Sequence, residues 1–321
     1  MYKVSEYSLV RRIGSENIIA NTYTGAVGKI DDDLCKIIND GSISNSALGD
    51  DVIVALKENG FIVPYELNEY QRILENEKKA IFGHSDTIFL TISVSTKCNY
   101  SCQYCFEPLY TQNPSVMSFE TTQMVIAYIK NIVNNTTKKI IITWFGGEPL
   151  LGLDAIQCIS GEIVAFCSDH AIDYYSEIIT NGFYLTEDVA KLLNDKCKVS
   201  SAQITLDGPE NIYETLKVTP TGAYRKVIDN IKSSSRFIKI VIRLNIPEYF
   251  YPSLNNYIDS LMLDLKDSHV KLYLAEICDD WVDFSEKKIA QPTSYWNQNR
   301  LFIKYMNEKY PNALAKSELP I

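Results

Sequence analysis

The sequence predicts an α/β protein built on a parallel sheet, preceded by a small α+β unit. Two observations carry this. From Thr87 onward, six short apolar runs alternate with amphipathic helical stretches. Before that point the chain has a different rhythm, with short alternating segments followed by helices. At 321 residues and 46% hydrophobic content there is room for one large catalytic domain and a small accessory one, each with a buried core.

Residues 1–65 open with YSLVRRI and NIIANTYTGAVGKI, which read as alternating strand segments. DDDLCKIIND and NSALGDDVIVALKENG follow with helical spacing, and FIVPY as a short strand, so the unit is expected to be a winged-helix-like α+β domain. Residues 66–85 carry the charged stretch ELNEYQRILENEKKAI, expected to be a helical linker broken at Gly83. The core spans 86–290, with TIFLTISVS, KIIITWF, SEIITNG, SAQITLD, IKIVIRLNI and HVKLYLAEI as its strands. Six strand-helix repeats imply right-handed crossovers, in either an open doubly wound sheet or a partial barrel. Residues 291–321 supply the C-terminal helix SYWNQNRLFIKYMNEKY and the tail PNALAKSELPI.

A net charge of −9 and a pI near 5.0 argue against a nucleic-acid partner, which would require a basic stripe to displace counterions. MYKVSEYSLVRRIG lacks the apolar segment of a signal peptide, and no run of 18 apolar residues occurs, so a cytoplasmic protein with no membrane partner is expected. Eight cysteines are too few for a disulfide scaffold, which leaves free thiols or metal ligands. Cys35, Cys158, Cys167, Cys197 and Cys278 are scattered, as small buried hydrophobes are; Cys98, Cys102 and Cys105 fall within eight positions.

Those three sit in Thr96-Lys97-Cys98-Asn99-Tyr100-Ser101-Cys102-Gln103-Tyr104-Cys105, just past the first core strand. Three thiolates on a tight loop can satisfy three irons of a 4Fe-4S cube and leave the fourth open. A structural zinc site wants four closed ligands, and His84, His170 and His269 are all distant in sequence. Zinc coordination completed by folding, or cysteines with no ligand role, are the alternatives. A second motif, Trp144-Phe145-Gly146-Gly147-Glu148-Pro149, ends the next strand. Its glycines allow close backbone approach to a ligand, and a carboxylate there can receive an ammonium group. The plainer reading is a strand-to-helix turn with Glu148 in the first helical turn.

Taken together, CxxxCxxC followed by GGEP resembles the radical S-adenosylmethionine (SAM) superfamily, and more narrowly its peptide-modifying branch, the SPASM-type maturases of ribosomally synthesised peptides. The resemblance covers roughly residues 87–290 and implies a partial (β/α)6 TIM-like barrel. It implies that Cys98, Cys102 and Cys105 hold a 4Fe-4S cluster, and that Gly146, Gly147 and Glu148, closed by Pro149, hold the methionine ammonium of S-adenosylmethionine. Reductive cleavage of that cofactor would give a 5'-deoxyadenosyl radical that abstracts a substrate hydrogen.

Further positions match on later strands. Asn181, in Thr180-Asn181-Gly182, would lie near the cofactor, although Asn-Gly is also a common turn. Thr205, in Thr205-Leu206-Asp207-Gly208-Pro209, would meet the cofactor's carboxylate or ribose, while Asp207 beside it could equally cap a helix. Lys217 stands where the family commonly has Arg, which keeps the charge but loses bidentate carboxylate recognition. Arg243 and Asn245 close the fifth strand and could face the same mouth or pair between strands. Glu276 and Cys278 close the sixth, with Asp279 and Asp280 following, as candidates for acid, base or hydrogen donor or as plain loop residues. All these positions fall at the carboxyl ends of strands, where parallel barrels build active sites.

The N-terminal unit resembles the precursor-peptide recognition domains of such maturases, which add a leader segment as a strand to a sheet edge. A degenerate winged helix packed on the barrel is the competing reading. The implied partners are a precursor peptide and an electron donor such as flavodoxin or ferredoxin. No cysteine follows Cys278, so the cysteine-rich SPASM extension is missing, through an auxiliary-free subgroup or a shortened chain. The expected function is radical modification of a precursor peptide; the rivals are an inactive leader-binding scaffold and a radical enzyme acting on a small molecule or protein.

Overall fold

The computed structural model describes residues 2–40, 42–43, 48–82, 86–107, 113–275 and 292–315. The chain divides into two compact units, Met1–Ser85 and Asp86–Ile321.

The first unit contains β1 (Tyr2–Val4), β2 (Ser8–Ile13), β3 (Glu16–Asn21), β4 (Val27–Ile30), α1 (Asp32–Asn39), β5 (Ser42–Ile43), α2 (Asp50–Glu58), β6 (Ile62–Pro64) and α3 (Glu69–Phe82). Two antiparallel three-stranded sheets result, in the orders β5-β1-β6 and β2-β3-β4. NIIANTYTGAVGKI is the β3–β4 hairpin. Its turn is built by Asn21, whose Oδ1 accepts from the backbone N–H of Tyr23 and of Thr24, each at 2.9 Å. Ile19, Ile30, Ile38, Ile43 and Phe61 form the core. Sequence analysis missed β1 and β5, because two or three residues are too few to show alternation.

The helix read as a linker over 66–85 is α3, and it groups with the first unit. Glu69 in its first turn is buried and accepts from Ser5 Oγ at 2.6 Å and from the Glu6 N–H at 2.9 Å. A charged helix looks solvated in sequence, and only the fold brings these partners to it. Gly83 lies outside the described residues.

The second unit runs β7 (Thr87–Ser95), α4 (Phe119–Ile132), β8 (Lys139–Gly146), α5 (Leu153–Asp169), β9 (Asp173–Thr180), α6 (Glu187–Cys197), β10 (Val199–Leu206), α7 (Glu210–Lys217), α8 (Ala223–Ser234), β11 (Lys239–Asn245), α9 (Leu254–Asp264), β12 (Val270–Ala275) and α10 (Pro292–Lys309). The six strands are parallel and ordered β12-β11-β10-β9-β8-β7. A doubly wound sheet reverses its strand order at a switch point. Here the order never reverses, so of the two forms left open by the sequence the unit is the partial (β/α)6 barrel.

Alternation positions the site. On β8, Ile140, Ile142 and Trp144 are fully buried on one face, while Ile141, Thr143 and Phe145 lie half-buried on the other. The 21 residues of Pro149–Asp169, α5 with the short turn before it, are long and apolar enough to cross a membrane. In the fold, Ile156, Ile159 and Ile163 of this helix are fully buried in the core.

Candidate functional site

Cys98, Cys102 and Cys105 follow β7 on one loop and line a cavity of about 770 Å³ at the carboxyl ends of the strands. Gly146, Gly147, Asn181, Thr205, Lys217, Arg243 and Asn245 line the same cavity, Lys217 from the end of α7 and the others from strand ends or the turns that follow them. Glu148, Pro149 and Asp207 are buried behind this lining. Glu276 and Cys278, with Asp279 and Asp280, lie outside the described residues.

The glycine pair holds the strand end against the stem of the cysteine loop. At Gly146, where φ is +127°, a Cβ would stand 2.1 Å from the Ser95 carbonyl oxygen; at Gly147 it would stand 2.7 Å from that of Lys97. No other residue fits either place without moving main chain. The Gly147 N–H donates to Ser95 O and the Glu148 N–H to Lys97 O, both at 2.9 Å.

Glu148 is fully buried and already well supplied with donors. Its Oε1 accepts from the Leu150 N–H at 3.0 Å and from Thr180 Oγ1 at 2.7 Å, and its Oε2 accepts from the Asn181 N–H at 2.9 Å. The carboxylate therefore caps the turn Pro149–Gly152, with Pro149 opening it, and pins the end of β9. Burial pushes its carboxyl above the usual range, against the hydrogen bonds from Thr180, Asn181 and Leu150. Asn181 extends the chain of contacts: its Nδ2 donates to Asn99 Oδ1 at 2.8 Å and reaches Cys98 Sγ at 3.9 Å. The Asn-Gly segment is thus both a turn and a contact with the cysteine loop.

A second buried network lies under the loop. Asp207 Oδ2 accepts a short hydrogen bond from Tyr104 OH and stands 3.6 Å from Lys217 Nζ, which in turn donates to Tyr104 OH at 3.3 Å. Asp207 does not cap α7, whose N-cap is Pro209. Burial raises its carboxyl, with Lys217 the main opposing influence. Sequence analysis missed Tyr104 and Thr180, although both stand inside motifs that it singled out. Arg243 Nε donates to Asn245 Oδ1 at 2.9 Å.

Burial also raises the thiols of Cys98 and Cys105, and pushes that of Cys102 up to about 11. Among the described residues no three His, Cys, Asp or Glu side chains are gathered as a finished metal site, so the cysteines share a cavity without converging. Drawing thiols together and deprotonating them is the work that ligation does.

Residues 92–249 match the family described as the radical SAM superfamily. The chain carries a radical SAM domain. Members of that superfamily bind a 4Fe-4S cluster and S-adenosylmethionine. The donor set of the radical SAM domain fits them: three soft sulfur ligands on one loop, and beside them a cavity with amide, hydroxyl and guanidinium groups.

The chain is similar to the radical SAM cyclopropyl synthase TigE of Paramaledivibacter caminithermalis, at 24% identity over 88% of this chain and 66% of that protein. It is similar to the GTP 3',8-cyclase of Helicobacter pylori at 28% identity over 69% of this chain and 63% of that one. It therefore spans just under two thirds of the length of these relatives. Among solved structures, anSMEcpe with bound AdoMet and Cp18Cys peptide shares the fold, with a TM-score of 0.56 and 18% identity over 70% of this chain and 61% of that chain. Streptococcus suis SuiB bound to precursor peptide SuiA gives a TM-score of 0.52 and 14% identity, over 96% of this chain and 71% of that one.

Proposed function

We propose that this protein is a radical SAM peptide maturase, acting in the cytoplasm on a ribosomally synthesised precursor peptide. The observation that carries the reading is that Cys98, Cys102 and Cys105 line the same cavity as Gly146 and Gly147, at the carboxyl ends of parallel strands. When bound, the cluster and S-adenosylmethionine supply a 5'-deoxyadenosyl radical that abstracts a hydrogen atom. The three cysteines hold the cluster, and the backbone at Gly146 and Gly147 receives the cofactor's ammonium. Thr205, Arg243 and Asn245 offer a hydroxyl, a guanidinium and an amide to its carboxylate and ribose. Glu148 acts from behind, keeping the ends of β8 and β9 in register around the ligand.

The peptide substrate is supported by the first unit. Among the described residues β2 and β4 each pair with β3 alone, which leaves two outer edges where a leader strand could add. The likeness to the SuiB complex also extends beyond the barrel over 96% of the chain. A small-molecule substrate is the second reading, favoured by the sequence similarity to a GTP 3',8-cyclase. A flavodoxin or ferredoxin would deliver the electron.

Incubating the anaerobically reconstituted, reduced protein with S-adenosylmethionine should release 5'-deoxyadenosine and methionine. A protein with an intact reduced cluster that releases none, with or without candidate peptides, is a scaffold and not an enzyme. Titrating the full chain with peptides encoded beside its gene separates the two substrate readings. Strand addition commonly gives micromolar dissociation constants, about −8 kcal/mol at 1 μM. Failure to bind any of them favours the small molecule.

A further inference from the structure

Lys217 closes α7, and the residue after it is strained. Val218 has φ 49° and ψ 62°, a left-handed conformation that is unfavourable for a β-branched side chain. The consequence is a helix that stops abruptly with its last carbonyls turned to the cysteine loop. The Gln103 side-chain amide donates to Thr215 O at 3.1 Å, the Gln103 N–H to Leu216 O at 2.9 Å, and the Ser101 N–H to Lys217 O at 3.2 Å. Carbonyls left without partners at a helix end are thus satisfied by the loop between Cys98 and Cys105.

The side chain of Lys217 completes the docking from below. Its ammonium lies 3.3 Å from Tyr104 OH and 3.6 Å from Asp207 Oδ2, and 5.3 Å from the centre of the Tyr213 ring. The Lys217 side chain is 4% exposed and that of Asp207 not at all. Asp207 Oδ1 has no hydrogen-bond partner among the described residues, and a buried ion pair left partly unsatisfied is a poor way to stabilise a fold. What Asp207 does provide is an anchor for the Lys217 ammonium, which lines the same cavity as Cys102 and Cys105. Through the hydrogen bonds of Ser101 and Gln103 to the end of α7, the loop that bears these cysteines is fixed to the helix that carries Lys217.

We propose that Lys217 is a positioning residue for the cysteine loop, a buried cation that docks the loop and offsets the negative charge of its cluster-bearing thiolates, and that it does not bind the cofactor's carboxylate. The proposal rests on the reading of this loop as a cluster site. Positive charge and hydrogen bonding near the sulfurs make a cluster easier to reduce. The place where the family commonly has Arg is therefore occupied here by a cation already committed to Asp207.

The test compares the wild-type chain with Lys217→Arg, Lys217→Gln and Lys217→Met, all reconstituted anaerobically. Redox titration followed by electron paramagnetic resonance, without S-adenosylmethionine, gives the cluster potential; equilibrium dialysis of the same preparations gives cofactor affinity. Lys217→Gln and Lys217→Met should move the potential to more negative values by about tenfold in the reduction equilibrium, ~59 mV for a one-electron couple. Lys217→Arg should restore the wild-type potential, and cofactor affinity should hold in Lys217→Gln and Lys217→Arg. Should Lys217→Met fail to keep its cluster, Lys217→Gln decides alone, since it keeps a donor for Tyr104 and Asp207 without the charge. An unchanged potential in Lys217→Gln, together with weakened cofactor binding, would make Lys217 a carboxylate ligand and overturn the proposal. A wild-type chain that takes up no cluster would overturn the underlying reading as well, an outcome separate from an intact cluster at an unmoved potential.

Discussion

Glu148 carries more of the architecture than its motif suggests. It satisfies three donors from two different segments, all inside the protein, and it is fully buried. Glu148→Ala leaves Leu150 N–H, Thr180 Oγ1 and Asn181 N–H without their acceptor, at about 1–3 kcal/mol for each buried group that stays unsatisfied. Urea unfolding of the cluster-free protein should therefore show a loss of several kcal/mol, before any cofactor is present. Wild-type stability in this variant, combined with lost cofactor binding, would return Glu148 to a purely ligand-facing role. The cysteines give a pH prediction. Burial raises all three thiols, so at neutral pH they are protonated, and each must lose its proton to ligate iron. Cluster occupancy at limiting iron should rise from pH 7 to pH 9 with release of protons, and a flat profile would contradict the buried-thiol picture.

At the scale of elements, α9 and α10 are tied by specific polar contacts as well as by apolar burial. Asp259 on α9 accepts from Tyr305 OH at 2.6 Å and Lys309 Nζ at 2.6 Å, both on α10, and from Tyr310 OH just beyond it at 2.8 Å. The Lys309 hydrogen bond is the largest influence holding the Asp259 carboxyl below its usual range. Folding lowers this pKa, so the contribution is present above the ordinary carboxylate value of about 3.9 and is lost as pH falls through the depressed one. The side chain is 37% exposed, and solvent keeps the effect modest. Hydrogen exchange in α10, corrected for the intrinsic rate, should show protection falling below about pH 4. Asp259→Asn should lower protection at neutral pH and remove that dependence. Just past this helix, Leu272 N–H donates to Ala313 O at 2.7 Å and Ala315 N–H to Leu272 O at 2.9 Å, so the chain returns to cover β12.

For the whole molecule, the placement of sulfur limits how much iron it can hold. Cys35 lies on α1 in the first unit, Cys158 and Cys167 on α5, and Cys197 at the end of α6. Among the described residues these do not gather with other ligands into a second site. Iron and sulfide analysis should find about four of each per chain, the content of a single cube. The triple variant Cys98→Ala, Cys102→Ala, Cys105→Ala should hold essentially none. About four irons surviving in that variant would reveal a second cluster.

Much of the site could be read from the chain because its chemistry is local. Three thiols within eight residues, two adjacent glycines and short apolar runs between amphipathic stretches depend on neighbours in sequence, and they announced the cysteine loop, the glycine turn and all six core strands. Roles set by contacts across many residues were not legible. Glu148 was read as a ligand for an ammonium, and its hydrogen bonds from Thr180 and Asn181, at the end of another strand, became visible only in the fold. Lys217 was read from its match to the family pattern, without the contacts to Asp207 and Tyr104 that the fold brings to it, and α3 as a charged linker, without the contact of Ser5 with Glu69. The sequence alone determined which elements form and which residue types stand at the strand ends, because backbone geometry dictates both. Only the tertiary structure decided between doubly wound sheet and barrel, and which charged groups face the cavity, because strand order and desolvation depend on partners far apart in the chain.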